Sequence, residues 1–204
     1  MTNASHPGLG RDLRAMTADG VAFSAMVGPG ETYVPAFALA VGLGGVGSDL
    51  VAMLPMLASA CLQMVTPAAV RWLGSYRRWV VLCARRRALS FVPPIIGATL
   101  GKVGLLWVGV ATVAYWAFGR STSPAWNAWV TSLVPLKMRA RFLARRTRSG
   151  HAALLGGLLA GGIALEPGRS HGVELSVFAA VFAAAMMSRF VSSGFLAARV
   201  RTIS

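Results

Sequence analysis

The sequence predicts an all-α polytopic membrane protein built as a six-transmembrane-helix bundle. Three observations predict it. Hydrophobic residues make up 55% of the 204-residue chain and charged residues only 13%, about half the charge an ordinary soluble surface carries, with a mean hydropathy of +0.62. The apolar residues gather into segments long enough to cross a ~30 Å hydrocarbon core. The basic residues gather between those segments, above all in Pro135 to Arg148, PLKMRARFLARRTR, within a stretch from Ser132 to Leu165 that has no acid.

Short loops this basic stay in the cytoplasm, and that fixes the direction of every segment. Residues 1–18 read as a polar cytoplasmic lead, 19–198 as the membrane bundle with its basic loop at 135–148, and 199–204 as a cytoplasmic tail. The first span covers about 20–42 and carries Gly28, Pro29, Gly30 and Glu31 near its middle; Pro29 removes a backbone donor and the glycines loosen the helix. The second covers about 50–70, with Gln63 and Met53, Met56 and Met64 inside it, and Arg71, Arg77 and Arg78 return the chain to the cytoplasm. The third, about 79–100, is interrupted by Arg85, Arg86 and Arg87, and Lys102 marks an external turn before the fourth, about 103–125. Taking Ala88 to Gly119 as one tilted span instead would put the basic loop opposite Arg77 and Arg78, against the positive-inside bias. The fifth span, about 152–165, is glycine-rich, and the turn EPGRSHGVE leads to the sixth, about 175–195.

Thirteen of the twenty Lys and Arg residues then fall on the cytoplasmic side: Arg11, Arg14, Arg71, Arg77, Arg78, Lys137, Arg139, Arg141, Arg145, Arg146, Arg148, Arg199 and Arg201. Only Lys102 and Arg169 fall outside. The net charge of +14 therefore reads as topology and contact with anionic lipid, not as nucleic-acid binding. The expected location is a bacterial cytoplasmic membrane with both termini inside. A cleavage site at Ala38-Leu39-Ala40 is not expected, because the first apolar run is long and carries Glu31, so the first span stays as an anchor.

The phrases TADGVAFSAMVGPGETYVPAFALAVG, LGSYRRWVVLCA and PAWNAWVTSLVPLKMRARFLARRTRSGH resemble the first, second-to-third and fourth-to-fifth stretches of bacterial permeases of the major facilitator superfamily. The resemblance covers nearly the whole chain and implies the N-terminal half of such a transporter. Members usually have twelve spans, so it also implies a second six-span half, either another copy or a separate chain. The loop RWLGSYRRW keeps Gly74, Arg77 and Arg78 but lacks the acid that the superfamily's cytoplasmic gate commonly carries.

Glu31 is the acid this reading places deep in a span, about eleven residues or ~17 Å from its cytoplasmic start. A carboxylate there is protonated, paired or wet, and the functional expectation is a proton-coupling or substrate-contacting group, with Tyr33 and Gln63 as further candidates. The bland alternative is a neutral side chain bonded to loosened backbone. The resemblance places the first and fourth helices on a central cavity and makes Arg120 a charge facing Glu31, unless it snorkels. It makes the third and sixth helices peripheral, so Arg85 to Arg87 and Arg189 are expected to snorkel or to pair structurally; a cationic interior would suit an anionic solute. Trp126, Asn127 and Trp129 read as interfacial anchors. Gly157 and Gly161 form a small-residue strip for close helix packing, inside the chain or against a partner.

His6, His151 and His171 are scattered, and no catalytic triad, HExxH motif or phosphate loop occurs. No enzyme, cofactor or metal is expected. Cys61 and Cys83 read as small buried hydrophobes. The leading expectation is a secondary-transporter half moving a small solute by alternating access. Its alternative is a non-transporting fragment or membrane-embedded accessory subunit.

Overall fold

A computed structural model describes residues 8–199. They form nine helices and no strand: α1 (Leu9–Thr32), α2 (Val34–Ala40), α3 (Gly44–Gln63), α4 (Thr66–Leu73), α5 (Tyr76–Leu89), α6 (Val92–Leu100), α7 (Leu105–Leu133), α8 (Leu136–Ser170) and α9 (Glu174–Arg199). The first six helices come in pairs, and proline explains the breaks. Pro35, Pro67 and Pro93 each sit at the second position of α2, α4 and α6. Lacking an N–H, each leaves the carbonyl four residues earlier without its helical donor, and the chain turns between the paired helices.

The breaks move two expectations. Gly28-Pro29-Gly30 does not interrupt the first span, because α1 runs through Pro29 and ends at Thr32; the break lies at Tyr33, where Pro35 imposes it. Pro135 to Arg148 is not a loop. Pro135 caps α8, and the basic residues form its first turns, continuous with the glycine-rich stretch that follows. The polar lead is likewise helical from Leu9. His6 and Arg201 lie outside the described residues.

Among the described residues two helices are long and apolar enough to cross a membrane by length and composition, over Gly44–Cys61 and Glu174–Ala197. Elsewhere the proline breaks shorten the helices or arginines dilute them.

α1 packs on α8 and α9, α3 on α7, and α5 on both α7 and α9. Glycine permits the closest of these approaches. A β-carbon on Gly28 would lie 2.4 Å from the Leu154 carbonyl oxygen, and one on Gly157 would lie 2.8 Å from the Pro29 ring. Gly161 receives the Tyr33 ring, whose hydroxyl donates to the Leu158 carbonyl at 2.7 Å. The strip on α8 thus meets α1 of the same chain, and Gly28 to Gly30 serve as a packing seat.

The interior has three layers. One apolar cluster holds Met16, Val80, Trp129, Val130, Phe142 and Leu196. A second holds Met26, Phe37, Phe91, Tyr115, Phe178 and Phe182, with Phe37 edge-on to Phe182 at 5.3 Å between centroids. Asp19 on α1, Gly119 on α7 and Arg189 on α9 fall between the two clusters along their helices; Arg87, near the end of α5, falls between Val80 and Phe91 in sequence, and Phe23 borders the second cluster. Trp129, expected at an interface, is buried in the first cluster. Cys83 is buried as expected, whereas Cys61 is exposed.

Gly28→Ala is expected to destabilise the bundle by about 2 kcal/mol, since its new methyl meets backbone. Gly156→Ala, which meets open space, should change stability by less than about 1 kcal/mol and in the favourable direction. Thermal unfolding of both variants in the same detergent checks the contrast.

Candidate functional site

The layer between the apolar clusters concentrates charge. Asp19, 3% exposed, accepts from the Arg146 guanidinium through Oδ2 at 3.2 Å and from the Ser192 hydroxyl through Oδ1 at 2.6 Å. Arg189, also 3% exposed, donates to the same Ser192 hydroxyl at 2.7 Å and lies 3.8 Å from Asp19 Oδ1. Arg146 further donates to the Met16 carbonyl at 3.1 Å and stacks over Trp126, 4.3 Å from its ring centre. One carboxylate thereby joins α1, α8 and α9.

Arg87 carries the network onward. Its Nη2 donates to Glu31 Oε2 at 3.1 Å, and the Tyr115 hydroxyl donates to the same oxygen at 2.8 Å. Its guanidinium lies 4.0 Å from the Tyr115 ring centre and 5.1 Å from that of Phe23, which Arg189 approaches at 4.9 Å. Phe23 is shared by two cations, an arrangement that offsets part of their desolvation. Glycines make the space: a β-carbon on Gly20 would lie 2.8 Å from Arg146 Nε, and one on Gly119 would lie 2.8 Å from Arg87 Nη1.

Two cavities adjoin this layer. The first, about 240 Å³, is lined by Glu31, Val34, Phe91, Thr112, Tyr115 and Trp116 among others. The second, about 250 Å³, is lined by Asp19, Phe23, Arg87, Trp126, Arg146 and Arg189, with Ser123 and Asn127 at exposed positions of α7.

Of the residues singled out in the sequence, Glu31 is placed on a cavity and paired, but with Arg87. Arg120 is exposed beside Trp116, 5.7 Å from its ring centre, and does not meet Glu31. Tyr33 turns to α8, and Gln63 lines neither cavity. Arg87 and Arg189 do not snorkel. They are buried and paired, whereas Arg85 and Arg86 are exposed. Arg146 leaves the set of surface topology residues for the interior, and Trp126 lies beneath it instead of anchoring an interface.

The other basic residues stay at the end of the bundle. Arg77 donates to the Ala197 carbonyl. Arg139 donates to the Thr131 and Val134 carbonyls at 2.8 and 3.1 Å, satisfying the C-terminal end of α7. Lys137, Arg141 and Arg145 line an open groove with Arg14, and Arg78 and Arg148 are exposed.

Asp19, Tyr115 and Ser192 were not among the sequence candidates, and Arg87 was expected only to snorkel or to pair structurally. The signal for Arg146 was spacing, since Phe142, Arg146 and Gly150 recur every four residues on the α8 face that meets α1. Among the described residues no group of His, Cys, Asp and Glu is arranged to hold a metal ion. Comparison with known protein families, curated proteins and solved structures finds no match.

Breaking the Glu31 pair from one side is expected to cost more than removing it. Arg87→Met leaves a carboxylate uncompensated and should lower stability by about 3 kcal/mol, whereas Arg87→Met with Glu31→Met should recover most of that loss. Arg120→Ala should stay within about 0.5 kcal/mol of the native protein. Unfolding free energies of the four chains check this.

Proposed function

We propose that the chain is a membrane-embedded transporter half, resembling the N-terminal half of a major facilitator permease, which moves a small solute by alternating access together with a second six-span half. The observation that carries this reading is the charged layer bordered by two cavities. Buried ionisable groups in a membrane bundle are expensive and ordinarily mark a solute or proton path, and a passive anchor has no use for them. Broken helices beside the site support the same reading, since transporters build midplane sites from interrupted helices.

The helix contacts add a second support. Counting α1–α2, α3–α4 and α5–α6 as the first three spans and α7, α8 and α9 as the next three, the principal contacts exchange when each span is shifted by three. The first span meets the fifth and sixth as the fourth meets the second and third, and the third meets the sixth. Such internal repetition is characteristic of secondary transporters.

In this reading the chain lies in a cytoplasmic membrane with both termini inside. Glu31 is the proton-linked or solute-contacting acid, and Arg87 takes the role first assigned to Arg120. The alternative of a non-transporting accessory subunit is favoured by the exposed apolar stripe Leu155, Leu159 and Ile163 on α8, which suits a partner helix; the Gly157 to Gly161 strip is already covered by α1.

Proteoliposomes holding the chain, with any six-span protein that copurifies with it, are expected to accumulate a small solute down an imposed pH gradient. Glu31→Gln should lower that flux about tenfold or more, equivalent to ~1.4 kcal/mol, while Arg120→Gln leaves it unchanged. Flux that is indifferent to Glu31→Gln and Glu31→Ala contradicts the proposal.

A further inference from the structure

The cavity of about 250 Å³ carries more positive charge than its own carboxylates neutralise. Three guanidinium groups, Arg87, Arg146 and Arg189, face two carboxylates, Asp19 and Glu31. One positive charge is left over: of the other titratable side chains beside these groups, Tyr115 donates to Glu31 as a neutral hydroxyl and Cys83 is a buried free thiol. Among the described residues, three N–H groups beside this cavity find no hydrogen-bond acceptor: Arg87 Nε, Arg189 Nε and Trp126 Nε1, all buried. Arg87 and Arg189 are 6% and 3% exposed, and both line this cavity. Buried donors are ordinarily satisfied, and uncompensated buried cations are costly. The residues that carry these donors and the excess charge therefore line one cavity.

We propose that this cavity binds a small organic monocarboxylate, whose charge matches the surplus and whose oxygens accept from the Arg and Trp126 N–H groups. Guanidinium groups suit a carboxylate in particular because their fixed forks present paired donors. The rest of the lining selects an organic acid over an inorganic ion: Phe23, Val80, Trp126 and Leu196 offer apolar walls for a carbon skeleton. The volume lies just below the range for drug-sized ligands, so the acid is small. Ser123 and Asn127 line the same cavity at exposed positions of α7, which places the entrance on that side. The inference names a ligand class for the interior described above; it rests on the transport reading for the acid's route, while binding itself does not require flux.

The full chain in phosphatidylcholine nanodiscs, which present no anionic headgroup, is titrated with radiolabelled benzoate and separately with inorganic phosphate. Saturable binding of one benzoate per chain is expected, with phosphate failing to displace it at equal concentration. Trp126→Phe keeps an aromatic ring under Arg146 but removes a donor, and should weaken benzoate about tenfold. Glu31→Gln frees Arg87 from its ion pair and should tighten benzoate several-fold, a direction that mere loosening of the bundle would not produce. Absent saturable binding, phosphate binding in place of benzoate, or affinity indifferent to both variants overturns the inference. Bound benzoate that does not move across proteoliposomes counts against the transport reading for this acid and leaves the binding site standing.

Discussion

Asp19 is the side chain on which the arrangement turns. A guanidinium inside a helical bundle loses most of its hydration, which is costly for a charged group, so it must find an anion there. Asp19 supplies one to Arg146 directly and to Arg189 through Ser192. Because those partners sit on α8 and α9, the need to neutralise two cations becomes a restraint on how three helices pack. The apolar clusters flank this layer, and Gly20 and Gly119 leave room for the guanidinium groups to reach it.

Backbone chemistry sets where the second acid sits. Pro35 withdraws the donor that would have reached the carbonyl of Glu31, so α1 ends one residue later and Glu31 stands in its last turn. Gly30 lets Phe91 and Ala185 come close beside it; a β-carbon there would lie 2.7 Å from the Phe91 ring. The carboxylate consequently meets Arg87 and Tyr115 at the edge of a cavity. Helix interruption, close packing and charge pairing are three consequences of a few residues around position 31.

Much of the helical order was legible in hydropathy, because apolar segments and arginine clusters alternate along the chain. The proline pairings were legible in principle, since each break precedes a proline that lacks its donor. The site was read at Glu31, and at Arg87 and Arg189 only as cations that snorkel or pair structurally. Asp19 was missed because it falls where the polar lead meets the first apolar run, and a span drawn by hydropathy starts one residue after it. Arg87 was hidden among three consecutive arginines, of which helical geometry turns one inward and leaves Arg85 and Arg86 outward. Arg146 was hidden the same way in the basic run of α8. Charge counting treats such residues alike, whereas the four-residue rhythm that separates them depends on which face meets α1, and that is a property of the packed bundle.

Charges turned inward and apolar side chains turned outward make sense if lipid surrounds the bundle, and orientation in the membrane tests that most directly. In a chain with Cys61 and Cys83 replaced by alanine, a single cysteine is placed at Ser170, the last residue of α8, or at Tyr76, at the start of α5. Both positions are exposed. A membrane-impermeant maleimide applied to intact cells should label Ser170→Cys, and should label Tyr76→Cys only after permeabilisation. Labelling of both positions from the same side would contradict the six-span arrangement and, with it, the placement of the Asp19 layer within a bilayer.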